Sequence, residues 1–129
     1  MSAAETAAEV LAGIGYTNVF TTPPSALICC EPIVLSSVGW ERESRQADGT
    51  ERGRERVRVL VCCDGAADAE ATCRAVERDL RLAAWPAGCA GGERVVAVDT
   101  GMPLAAGRDG SGRWLWGFDA TFTVVRDFG

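Results

Sequence analysis

The sequence predicts an α+β fold. It is a single mostly antiparallel or mixed sheet of four to five strands, with two helices packed on one face and a long protruding β-hairpin, in the order α-β-β-β-α-β-β. Three observations carry this. Arg113 to Arg126 alternates strictly, with Trp114, Trp116, Phe118, Ala120, Phe122 and Val124 on one side, the period of a strand with one apolar face. Ala69, Cys73, Val76 and Leu80 recur at helical spacing within Ala66–Ala83, with Arg74, Glu77, Arg78 and Arg81 outside them, the pattern of an amphipathic helix laid on a sheet. Between Glu41 and Arg56 the composition turns to Glu, Arg, Gly, Asp and Ser around a central Asp48-Gly49, a hairpin signal. At 129 residues and 47% hydrophobic the chain is expected to form one domain, residues 1–129, whose core needs no metal or disulfide.

In chain order, Ser2-Ala3-Ala4-Glu5 has capping-box spacing, and the alanine-rich run through Leu11 suits a short helix stopped by Gly13 and Gly15. Thr17–Thr22 is a short extended candidate, and Pro23-Pro24 breaks it. Ala26–Glu31 reads as a strand interrupted at Pro32, and Ile33–Glu43 as a further extended segment carrying Trp40. The charged block 41–56 has two equal readings, a solvated hairpin with a mobile tip or an arm that reaches a neighbouring subunit. Arg56–Cys63 is a strand, with Val57, Val59 and Val61 on one side and Arg56, Arg58 and Leu60 on the other. Asp64 or Asp68 is positioned to cap the second helix. Trp85-Pro86 with Gly88–Gly92 reads as a loop, Arg94–Thr100 as a short strand, and Gly101–Gly112 as a second loop.

Much chemistry is excluded by composition. There is no histidine, and all 13 basic residues are arginine, which removes histidine-based triads, histidine zinc sites, Schiff bases and P-loop lysines. The net charge of −5 opposes phosphate neutralisation as a main task, so no specific nucleic-acid binding is expected. Cys29, Cys30, Cys62, Cys63, Cys73 and Cys89 include no C-x-x-C and read as small buried apolar residues. Neither a membrane-spanning run nor a signal peptide is legible, so synthesis in the cytoplasm is expected. The carboxylates left for acid–base work, Asp64, Asp99, Asp109 and Asp119, share no spacing that requires a cleft. Gly107–Gly112 leads into a strand and not a helix, against a phosphate cradle. Trp114 and Trp116 suit burial in a core or interface better than a base-stacking platform, which needs more positive charge around it. No catalytic residue, cofactor or metal is expected.

The segment Gly107-Arg108-Asp109-Gly110-Ser111-Gly112-Arg113-Trp114, running into Phe118–Val124, resembles a C-terminal signature of tailed-bacteriophage minor capsid and tail-terminator (tail completion) proteins. In these a G-R-D-x-x-G-R-aromatic turn precedes a final alternating strand. The order of elements from Ala3 to Phe128 is also similar, whereas the Trp85–Gly92 loop and the six cysteines depart from the family. The resemblance implies a non-enzymatic virion protein, a ring and commonly a hexamer at the head–tail junction. Its partners would be other copies of itself, the tail tube and the head connector, with no membrane. A ring needs a heterologous interface, for which Arg42, Arg45, Arg52, Arg54 and Arg56 on the arm and Trp40 near its base are the candidates. Gly107, Arg108, Asp109, Gly112 and Arg113 form the family-like turn. A negative chain also suits a channel through which DNA slides. Two alternatives stay open: a protein-binding module of prophage or host origin that uses the Trp114/Trp116 strand, and a small enzyme that uses Asp64, Asp99 and Asp109.

Overall fold

The alternating closing segment is the axis of the sheet. In a computed structural model that describes residues 2–24, 31–45, 47, 49–85, 87–90 and 93–127, helix α1 spans Ala3–Ile14 and is followed by β1 (Val19–Phe20), β2 (Ile33–Arg45) and β3 (Thr50–Cys63). Helix α2 (Ala66–Leu82) then leads to β4 (Ala87–Ala90), β5 (Glu93–Thr100), β6 (Leu104–Arg108) and β7 (Trp114–Asp127). The strand expected at Ala26–Glu31, Cys29 and Cys30, and Asp48 of the hairpin signal lie outside the described residues, apart from Glu31.

The strands form one mixed sheet in the order β1-β2-β3-β7-β5-β4, with β6 also paired to β7. Only the β1–β2 pairing is parallel among those described. β3 pairs with β7 from Thr50↔Asp127 to Cys63↔Trp114. On its other side β7 is served by two strands in line, β5 against Ala120–Arg126 and β6 against Trp114–Gly117. Between them Gly101 N–H donates to the Asp119 carbonyl at 2.8 Å. The α+β class, with two helices on one face of the sheet, is as the sequence predicts.

Three local readings are corrected. The segments read as loops at Trp85–Gly92 and Gly101–Gly112 contain β4 and β6. Their Ala- and Gly-rich sequences lack alternation, and they are strands because β5 and β7 present edges to pair with. α2 is capped by Gly65 with no side-chain bond, so neither Asp64 nor Asp68 caps it; the Asp64 N–H donates to Glu31 Oε2 at 3.1 Å. The hairpin of β2 and β3 is also not free-standing, because β7 pairs along the full length of β3.

Both helices lie over one face. Ala3, Ala7 and Leu11 of α1 and Ala69, Cys73, Val76 and Leu80 of α2 are buried against Ile33, Leu35, Val57, Val59, Val61, Phe118, Ala120, Phe122 and Val124. α1 starts with the Glu5 N–H donating to Ser2 Oγ at 3.2 Å and stops at Gly15, whose φ of 133° a side chain would resist. Tyr16 then ties it to α2, donating to Asp79 Oδ2 at 2.6 Å. Burial and the neighbouring carboxylate push the Tyr16 hydroxyl pKa up to about 12. Among the described residues no helix is long and apolar enough to cross a membrane.

One position shows how tightly β7 is set against β3. A Cβ on Gly117 would lie 2.7 Å from the Val59 carbonyl oxygen and 2.8 Å from Leu60 Cδ2. The carbonyl belongs to the ladder and cannot move alone. Gly117→Ala is expected to cost about 1–3 kcal/mol, the usual range for overpacking, read as a lower urea midpoint.

Candidate subunit interface

The face of the sheet away from the helices is the candidate site. Alternation along β3 sends Val57, Val59 and Val61 into the core, so Arg52, Arg54, Arg56 and Arg58 fall on the opposite side. All four are exposed. Glu43 accepts from two of them, with Oε1 2.8 Å from Arg54 Nε and Oε2 3.4 Å from Arg52 Nε. Asp119 of β7 lies 3.2 Å from Arg58 Nε. Arg56 makes no ion pair among the described residues; its Nη2 lies beside Gly39. Gly39, Glu41, Arg54, Arg56 and Thr121 line a hollow of about 320 Å³ together with Trp40. Toward the other end of this face a second hollow of about 510 Å³ is more apolar, with Leu60, Met102, Leu104 and Leu115 in its walls. Met102 and Leu104 are 75% and 63% exposed, so two large apolar side chains stand open to solvent here.

Arg42 and Arg45 sit on β2 opposite Gly53 and Glu51, both exposed. Trp40 takes a different place. It is half-buried on the helix-covered side, with the Arg126 guanidinium 3.7 Å from its ring centroid. Gly53 makes room for the ring: a Cβ there would fall 2.5 Å from Trp40 Cζ2.

Arg126 in turn donates from Nε to Glu93 at 3.2 Å and from Nη2 to Glu55 at 3.4 Å. Glu55 is only 3% exposed, and its Oε2 accepts from the Ala3 N–H at 3.0 Å. A carboxylate at a helix N-terminus meets the positive end of the helix dipole, so this cluster fastens α1 to the root of the hairpin. Sequence reasoning missed Glu55, Glu93 and Arg126, because an acid in a charged run reads as solvated. Arg58 was placed on the open side by its alternation but was not grouped with the arm.

The five turn residues come together as a closed unit. Asp109 Oδ1 accepts from the N–H groups of Ser111 (2.9 Å) and Arg113 (2.8 Å), and Oδ2 from Arg113 Nε (2.8 Å). Gly107 and Gly112 have φ of 93° and 80°, which explains both glycines. Arg108 donates to the Gly112 carbonyl at 3.1 Å and lies over the Trp114 ring at 4.4 Å. The motif therefore has a local structural purpose, setting the register of the β6–β7 hairpin. The backbone and side-chain bonds from Arg113 hold the Asp109 carboxyl below its ordinary 3.8. A depressed folded-state pKa stabilises above the unfolded value and is lost as pH falls through the folded one. The stability advantage of the native chain over Asp109→Asn is therefore expected to be full above about pH 4 and to shrink below it, as thermal unfolding across pH 2–6 would show.

The remaining candidates are dispersed. Asp99 is exposed on β5 opposite Thr121, Asp119 is paired with Arg58, and Asp109 is taken up by its turn. Among the described residues no three His, Cys, Asp or Glu side chains come together as a metal site. Cys62, Cys63 and Cys73 are free and buried, and burial pushes the Cys63 and Cys73 thiols up to about 11. The side chain of Cys89 lies outside the described residues. Trp114 and Trp116 pack against the core and carry arginines on their rings, Arg108 at 4.4 Å and Arg74 at 5.8 Å, which leaves neither ring as a bare stacking platform.

No protein-family model matches the sequence, and no curated protein matches it. Solved structures do. A chain from the virion of a native gene transfer agent particle superimposes with a TM-score of 0.60 at 15% identity, over 96% of this chain and 95% of that one. Nearly the whole chain thus shares its fold with a protein of that particle.

Proposed function

We propose that the protein is a non-enzymatic structural component of a phage-like virion. More narrowly, it is a tail terminator or minor capsid protein that forms a ring of six at the head–tail junction. One observation carries this: the fold agrees with that of a virion chain along almost the full length of both. The G-R-D-x-x-G-R turn and the order of elements support the narrower assignment, and the net charge of −5 suits a passage for DNA. Subunit contacts fall to the hairpin, with Arg42, Arg45, Arg52, Arg54 and Arg56 exposed along it and Trp40 at its root. The partners are other copies of the chain, the tail tube and the head connector.

The test is to delete the gene in a particle-producing strain and to locate a tagged copy in purified particles. Unjoined heads and tails in the deletion strain, with the tag at the junction of complemented particles, are expected. Joined particles of normal tail length without the protein overturn the reading.

A further inference from the structure

The two sides of the molecule are complementary in charge and in spacing. On α1, Glu5 and Glu9 are exposed one turn apart, and Ala8 and Ala12 share their face. The helix contains no basic residue. Two acids at i and i+4 stand about 6 Å apart along a helix axis. On the opposite side of the sheet, Arg54 and Arg56 stand two residues apart on β3, which is about 6.8 Å along a strand. They flank the hollow of about 320 Å³. Neither Glu5 nor Glu9 makes an ion pair among the described residues, and neither does Arg56. The body of α1 and the sheet beneath it separate α1's outer face from the arginine face, so one chain cannot join the two.

We propose that the arginine-bearing sheet face receives helix α1 of a second copy, with Glu5 and Glu9 of one subunit set against Arg54 and Arg56 of the next. The alanines between the acids let the helix lie close to the strands. The contact joins different surfaces on the two copies, so it is heterologous and propagates head to tail, closing into a ring when the rotation allows. It covers the sheet face that the chain's own helices leave bare. Being carried by exposed charges, it weakens as salt rises. This rests on the ring reading above and names the surfaces that reading leaves open.

A charge exchange tests it. Arg54→Glu/Arg56→Glu and Glu5→Arg/Glu9→Arg are each purified, checked for native circular dichroism, and compared with the unaltered chain by sedimentation velocity at low salt. The unaltered chain is expected to self-associate. Each double variant alone is expected to do so about a hundredfold more weakly, the scale on which like-charge juxtaposition disfavours a pairing. An equimolar mixture of the two is expected to recover association, since each supplies the sign the other lacks. Variants that associate as the unaltered chain does, a mixture no better than its components, or an unaltered chain that stays monomeric at millimolar concentration each overturn the interface. The virion reading fails separately, by absence of the protein from purified particles, whatever the sedimentation result.

Discussion

Phe122→Ala is expected to destabilise the protein by about 3–5 kcal/mol and to lower its melting temperature by on the order of 15 °C. Phe122 is fully buried and is the largest such side chain among the described residues. It stands on β7 between its cross-strand neighbours Glu55 and Val98. Its ring meets Trp85 edge-on, with centroids 5.6 Å apart and planes at 65°. Truncation removes the transfer energy of the ring and leaves a cavity that two paired strands cannot close. Differential scanning calorimetry gives the result directly. Val124→Ala, one step along the same face and also fully buried, should cost less because it removes less volume.

Glu55→Ala is expected to cost about 3 kcal/mol, where an exposed ion pair on the same strand costs under about 1 kcal/mol. The comparison is Arg58→Ala, which breaks a contact whose two side chains are 53% and 44% exposed. Glu55 is different because its carboxylate is buried and serves two elements, the Ala3 N–H of α1 and Arg126 of β7. Removing it orphans a buried donor and leaves a guanidinium, 24% exposed, with Glu93 as its remaining carboxylate partner among the described residues. Urea denaturation of both variants decides the difference. A double-mutant cycle with Arg126→Ala should show coupling well above the additivity limit of about 0.5 kcal/mol. Equal costs for Glu55→Ala and Arg58→Ala would remove the claim that this cluster anchors α1.

The contrast between Glu55 and Arg58 shows what could be read from the sequence and what could not. Side-chain periodicity reports which face is buried, so β7, the valine-rich part of β3, and α2 were legible to within a residue or two. It says nothing about backbone pairing. Thr50–Glu55 alternate only in charge, which reads as a solvated arm, yet β7 pairs along all of them. β4 and β6 have no pattern of their own and exist because an edge was available. The candidate site divides in the same way. Arg52, Arg54 and Arg56 could be named from composition, and their shared face follows from the strand period. Trp40 could be named too, but its stacking with Arg126 depends on β2 and β7 flanking β3 with both side chains on the same face of the sheet, a topological fact. The turn at Asp109 was recognisable as a motif, and only its hydrogen bonds explain why it takes those residues.

The position of β7 has a consequence for biogenesis. It lies in the middle of the sheet, flanked by β3 on one side and by β5 and β6 on the other, yet it is translated after every other described element. Until it leaves the ribosome, β3 lacks its inner neighbour and the apolar sides of α1 and α2 have only part of their floor. The nascent polypeptide must therefore wait, holding greasy surface open, and close late through contacts between distant segments. Such non-local closure is slow, and refolding from denaturant should be limited by the docking of that single ribbon.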